Sequence, residues 1–65
     1  MFDADIEIMN EGSIYLLRPI SKVGQSWLDE NIGDDAMMFG GSTVVEHRYV
    51  EPIIAGMIRD GLYLI

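Results

Sequence analysis

The sequence predicts a small single domain of the α+β class over residues 1–65, with its elements in the order ββαβαβ. Residues 4–9 alternate between apolar and acidic side chains over most of their length, which is the two-residue period of a half-buried strand. Over residues 49–60 the apolar side chains recur at helical spacing instead. A chain of 65 residues, with 49% hydrophobic residues and no cysteine, is long enough to form one hydrophobic core. We expect an antiparallel or mixed sheet with both helices packed on one face.

The first two predicted elements form a β-hairpin. In residues 4–9 the apolar side chains face the core and the acidic ones face outward. Residues 10–12, Asn-Glu-Gly, are a turn sequence because asparagine and glycine tolerate positive φ. The apolar and aromatic residues 13–18 form the second strand, which Pro19 ends because proline has no N–H to donate.

The first predicted helix begins after Ser21, its N-cap, and runs to about Asn31, with Gly33 as its C-terminal stop. Trp27 lies on its narrow apolar face and is predicted to be a core residue. Gly24, inside this helix, lowers helix stability by about 1 kcal/mol relative to alanine.

The middle of the chain leaves two alternatives open. Residues 36–39 are apolar, and residues 42–46 are rich in β-branched side chains. Either the two segments pair as a tight hairpin across Gly40 and Gly41, or only the second is a strand, as in the order above.

The second predicted helix covers residues 49–60. Pro52 belongs in its first turn, where a missing N–H costs little, and Gly61 occupies the position of a left-handed cap. Residues 62–65 are predicted to end the chain as a short strand.

Charge and composition exclude several classes of function. Eleven acidic residues against four basic ones give a net charge of −7, so the chain has no basic patch for direct binding of nucleic acid or of an anionic membrane. The first residues contain no positively charged segment followed by an apolar stretch, and cysteine is absent. We therefore expect a cytoplasmic location.

The chain offers few groups for catalysis or metal binding. One histidine, one lysine and no cysteine leave few ways to place a nucleophile beside a base, so we expect no enzyme and no catalytic residue. Glu46, His47 and Glu51 are the cluster that includes an imidazole, but they match no fixed ligand motif, and His47 is better explained as a cap or surface group. We expect no metal and no cofactor.

The remaining feature is the arrangement of acids. Along an extended strand Asp3, Asp5 and Glu7 lie about 6.6 to 6.8 Å apart and can imitate a short track of phosphates. Acids at the end of the first helix oppose its macrodipole, which is an unfavourable choice unless the surface binds something. The alternative is an acidic face that only aids solubility. The predicted partner-binding residues are Asp3, Asp5, Glu7, Glu11, Asp29, Glu30, Asp34 and Asp35.

Three segments carry a resemblance: NEGSIYLLRP at 10–19, SWLDENI at 26–32 and GGSTVVEHRYVEPIIAGMIRDGL at 40–62. Together they resemble a group of short acidic proteins of proteobacteria and their phages and prophages. The size, charge and lack of cysteine are similar to those of small anti-CRISPR proteins, in particular inhibitors of type I (I-C) Cascade. The resemblance implies a non-enzymatic inhibitor that binds the basic, nucleic-acid-binding surface of Cascade subunits and blocks engagement of target DNA.

A second hypothesis is an antitoxin-like or homo-oligomeric interaction module of phage or prophage origin. In this hypothesis the apolar residues 62–65 or 37–39 form a protein interface. We expect a monomer, and a strict monomer whose tail packs into its own sheet would remove most support for this second hypothesis.

Overall fold

The computed structural model describes residues 3–32 and 37–65, which form a four-stranded antiparallel sheet with two helices. The predicted α+β class is confirmed, but the order is ββαββα rather than ββαβαβ. Neither described helix is long and apolar enough to cross a bilayer. The elements are β1 Ile6–Asn10, β2 Ile14–Pro19, α1 Lys22–Asn31, β3 Met37–Phe39, β4 Ser42–Glu46 and α2 His47–Arg59.

The sheet is built from two hairpins and has the strand order β1-β2-β4-β3. The predicted turn between β1 and β2 is closed by the Asn10 side chain, whose Oδ1 accepts the Gly12 N–H at 2.8 Å. Gly40 and Gly41 have φ of 55° and 82°, so they form the tight turn that lets β3 pair with β4. Of the two alternatives for this segment, the hairpin is correct.

The prediction of a final strand at residues 62–65 was wrong, and this accounts for one part of the changed order. Gly61, with φ of 85°, ends α2 and turns Leu62 into the core. The few residues that remain lie along the outer edge of β1, where Leu64 forms a single parallel bridge with Ile6. The Ile8 N–H donates to the carbonyl of Ile65 at 2.9 Å.

The second helix begins two residues earlier than predicted, because the chain passes from β4 into α2 at His47 with Glu46 as the N-cap. Pro52 is therefore the sixth residue of α2 rather than part of its first turn, and the prediction for it was wrong. Its missing N–H leaves the Arg48 carbonyl without its i+4 donor.

The core lies between the two helices and one face of the sheet. Cross-strand partners share a face, and the face toward the helices carries Ile6, Leu17 and Val45. These residues pack with side chains from both helices and the tail: Trp27, Leu28, Val50, Met57 and Leu62. Both helices thus cover one face, as predicted, and the prediction of Trp27 as a core residue is confirmed.

The opposite face, which we call the open face, carries a row of apolar residues across the whole sheet. Met9 pairs with Leu16, Leu16 with Val44, and Val44 with Met37. None of these four belongs to the core cluster formed by the described residues.

Candidate functional site

Asp5 lies at the bend before β1 and is bound into the fold. Its carboxylate accepts the Ser21 hydroxyl at 2.6 Å and the Tyr63 N–H at 2.9 Å. These bonds, the one from Ser21 above all, hold the pKa of the Asp5 carboxyl below its ordinary value. The Ser21 Oγ in turn accepts the Gly24 N–H at 3.0 Å, which confirms Ser21 as the N-cap of α1. Asp5 therefore joins the start of β1, the start of α1 and the C-terminal tail.

The backbone of Asp5 makes a second contact with the start of α1. Its carbonyl accepts the Ile20 N–H at 2.8 Å, and Gly24 packs directly against the same carbonyl. A Cβ on residue 24 would overlap this oxygen and lie 3.0 Å from Cγ1 of Ile6. Gly24 is thus required by a close approach of α1 to the chain before β1.

Asp3 and Glu7 differ from Asp5 in their surroundings. Glu7 accepts a hydrogen bond from Nε of Arg18, its cross-strand partner, at 2.7 Å. Asp3 is exposed, and no ion pair within the described part of the chain includes it. Of the three acids expected to form a row, one carboxylate is bound by Ser21 and Tyr63 and one by Arg18.

Glu11 lies in the turn between β1 and β2, at the other end of β1 from Asp3 and Asp5. Six residue steps of an extended chain place it roughly 20 Å from Asp5. Glu11 lines a hollow of about 320 Å³ together with Leu16, Phe39 and Val44, so its neighbours there are apolar. The structure thus separates Glu11 from the acids at the start of β1.

Asp29 and Glu30 are exposed residues in the last turn of α1, which contains no basic residue. The Asp29 carboxylate accepts a hydrogen bond from the Gln25 side chain at 3.1 Å. The partial negative charge of the helix C-terminus is therefore added to that of two carboxylates. We call Asp29 and Glu30 the acidic pole. Asp34 and Asp35, also predicted to bind the partner, lie outside the described residues.

The arginines do not offset the acidic pole. Arg18 pairs with Glu7 at 2.6 Å, and Arg48 pairs with Glu46 at 3.5 Å. Arg59 pairs at 3.5 Å with Asp60, so each arginine has an acidic partner. In the ranges 3–32 and 37–65, no ion pair includes Asp29 or Glu30.

Asp60 was not among the predicted residues. The indole N–H of Trp27 donates to Oδ2 of Asp60 at 2.8 Å, and this bond lowers the pKa of the Asp60 carboxyl. It links the C-terminal end of α2 to the middle of α1. The two residues are 33 positions apart, so no local pattern signals the pair.

His47, considered above as a metal ligand, is the first residue of α2, and its ring lies 5.6 Å from that of Tyr15. Among the residues that the structure describes, no three His, Cys, Asp or Glu side chains come together to hold a metal ion.

The two apolar segments of the second hypothesis have different surroundings. The tail lies on β1, with Leu62 buried and Leu64 half-buried. In β3 the side chains are exposed by 71% at Met37, 56% at Met38 and 69% at Phe39. All three residues of β3 are therefore largely exposed, whereas in the tail Tyr63 and Ile65 are exposed by 59% and 60% and the two leucines are covered.

Comparison of the chain with protein-family models, with curated proteins and with solved structures found no match. The fold and its charges define a small α+β domain with an acidic pole at one helix end and an apolar open face.

Proposed function

We propose that this protein is a non-enzymatic inhibitor that uses the acidic pole to bind a partner with a basic, nucleic-acid-binding surface. The observation that carries this proposal is that Asp29 and Glu30 lie exposed at the C-terminal end of α1 and that no described ion pair includes either of them. Asp34 and Asp35 follow within five residues and add to the negative charge of this stretch of chain.

The energetics of the helix favour an external cation at this position. A carboxylate in the last turn of a helix costs about 0.3–1 kcal/mol because it opposes the macrodipole. An arginine or lysine from a partner would interact favourably with both carboxylates and with the terminal carbonyl groups of α1. Cationic channels that hold DNA phosphates present such side chains in rows.

The proposed partner is a CRISPR Cascade-type complex in the cytoplasm of a bacterial host, as the resemblance of the sequence implies. Bound to the basic subunit surfaces, the protein would block engagement of target DNA without contacting nucleic acid itself. Association should be rapid at low salt and should weaken as salt rises, because exposed charges are screened over about 8 Å at physiological ionic strength.

The contacts of Asp5 and Glu7 determine which variants can test the proposal. Charge reversal at Asp5 would remove the acceptor of the Ser21 hydroxyl and of the Tyr63 N–H, and charge reversal at Glu7 would place a second cation beside Arg18. Loss of binding in either variant would therefore report on folding as well as on contact. Asp29→Asn with Glu30→Gln removes both charges of the acidic pole without removing an ion pair of the described chain.

The experiment is a competition assay with purified type I-C Cascade and a fluorescent target duplex. We expect the wild-type protein to displace the duplex, the double variant to do so at least about tenfold less well, and the exposed Glu51→Gln variant to match the wild type. Circular dichroism and urea unfolding show whether each variant is folded. Failure of the wild-type protein to compete at any salt concentration would overturn the choice of partner, and equal competition by a folded double variant would exclude the acidic pole as the contact.

A further inference from the structure

The open face of the sheet has a wholly apolar centre. The row from Met9 through Leu16 and Val44 to Met37 crosses all four strands, and Phe39 lies on the same face two residues beyond Met37. Met9, Leu16 and Val44 are half-buried, whereas Met37 and Phe39 are largely exposed. Both described helices pack against the other face, so no described helix covers this row.

Two ion pairs neutralise most of the charge on the open face, and Glu11, which lines the hollow at its edge, is the described acid there that no ion pair includes. Glu7 is paired with Arg18 on this face, and Glu46, which lies opposite Ile14, is paired with Arg48. Most of the net charge of −7 is therefore carried by other parts of the molecule, among them the acidic pole. Two copies that meet through their open faces would bring these ion pairs and one Glu11 each toward each other, rather than most of the negative charge.

We propose that the open face binds a second copy of this chain, so that two sheets pack face to face. Sheets packed in this way lie about 10 Å apart with their apolar side chains interdigitated. The two copies of the Met9 to Met37 row would form the centre of the interface, and the Glu7–Arg18 pairs would lie toward its rim. A highly charged cationic partner would find little free negative charge on this face, since Glu11 is the one described acid on it outside an ion pair. The proposal does not depend on the proposed function, and the acidic poles remain exposed in the dimer.

The size of the face limits the affinity. Four strands about 4.8 Å apart and five residues of about 3.3 Å each span roughly 300 Å² in projection. A standard interface buries about 800 Å² per partner, so this dimer belongs among the small, weakly associating interfaces. We expect the dissociation constant to lie in the micromolar range, where the monomer expected from the sequence is populated on dilution.

Sedimentation equilibrium of the full chain from about 1 μM to about 300 μM tests the association. We expect the mass to rise from one chain toward two, and Met37→Lys to weaken association by at least about tenfold. The matched control is Val23→Lys, an exposed apolar position on α1 with 58% exposure, which should dimerise like the wild type. A wild-type mass of one chain at every concentration would overturn the proposal.

Methionine methyl resonances show which surface is used, and they need no substitution. Met9 and Met37 lie on the open face, Met38 lies opposite Thr43 on the other face, and Met57 is fully buried in the core. Face-to-face packing predicts that the resonances of Met9 and Met37 shift with concentration, while that of Met57 does not. Shifts at Met37 and Met38 with Met9 unchanged would instead show pairing through the β3 edge and would overturn the face-to-face arrangement.

Discussion

The two ends of α1 both carry acids, and the structure uses them in opposite ways. At the first end Asp5 accepts hydrogen bonds from Ser21 and Tyr63, beside the positive pole of the helix dipole. At the second end Asp29 and Glu30 add negative charge to the negative pole and face solvent. An acidic residue therefore belongs to the fold or to the surface according to what surrounds it, and only the second group is available to a partner.

The largest expected effect concerns the close contact at the first end of α1. We expect Gly24→Ala to lower the free energy of unfolding by about 2 kcal/mol or more, although alanine favours helix by about 1 kcal/mol, because the new methyl group overlaps the Asp5 carbonyl. Urea unfolding measures the change. Ser26→Ala, at an exposed position of α1, is the control and should stay within about 0.5 kcal/mol of the wild type. A stabilised Gly24→Ala variant would mean that α1 does not approach Asp5 this closely.

Loss of the cap at the same end is expected to cost less. Ser21→Ala removes the acceptor for the Gly24 N–H and the donor to Asp5, so we expect a loss of about 1 kcal/mol in thermal or urea unfolding. Ser21→Asp should recover the cap but place a second carboxylate against Asp5, and it should therefore remain less stable than the wild type. Full recovery by Ser21→Asp would show that the contact with Asp5 is dispensable.

Acidification should remove the contribution of the Asp5 charge to the stability of the fold. Because hydrogen bonds lower the pKa of Asp5 in the folded protein, its stabilising effect is complete above the unfolded pKa of about 3.9 and is lost as the pH falls through the folded value. We expect Asp5→Asn to melt below the wild type at pH 7, with the difference shrinking below about pH 4. The control is Asp3→Asn, at an exposed position nearby, which should melt like the wild type at pH 7. A constant gap between Asp5→Asn and the wild type would contradict the role of the charge.

The smallest expected change in the free energy of unfolding is an increase, and it concerns the second end of α1. Asp29→Lys should raise the free energy of unfolding by about 0.3–1 kcal/mol because it complements the helix dipole. The same variant should lose competition with DNA for Cascade if the acidic pole is the contact. Gain of stability together with unchanged competition would assign Asp29 to solubility alone.

Local signals predicted much of the first half of the fold. The turn at residues 10–12, the end of β2 at Pro19 and the Ser21 cap all depend on neighbouring residues, and all three are present in the structure. The β3–β4 hairpin was one of two open alternatives. One failure depends on a distant part of the chain, because the tail lies along β1 rather than forming a full strand. The other is local, because α2 begins directly after β4 and so holds Pro52 inside the helix.

The predicted site likewise divides into features that the local sequence signals and features that depend on distant parts of the chain. The acid-rich end of α1 was visible in the sequence because the helix and its last turn are local features. The roles of Asp5 and Asp60 were not, because their partners Tyr63 and Trp27 lie 58 and 33 residues away. The row of apolar residues on the open face also depends on the register between four strands.

The sequence by itself determined the α+β class, the Ser21 cap, the turn at residues 10–12 and a strongly negative chain, because each follows from composition or from contacts within a few residues. Only the tertiary structure decided which acids are bound by hydrogen bonds and which remain in solvent. It also decided which side of the sheet the helices cover. Hydrogen bonds and packing between distant segments act on particular atoms at short range, and their partners become neighbours only when the chain is folded.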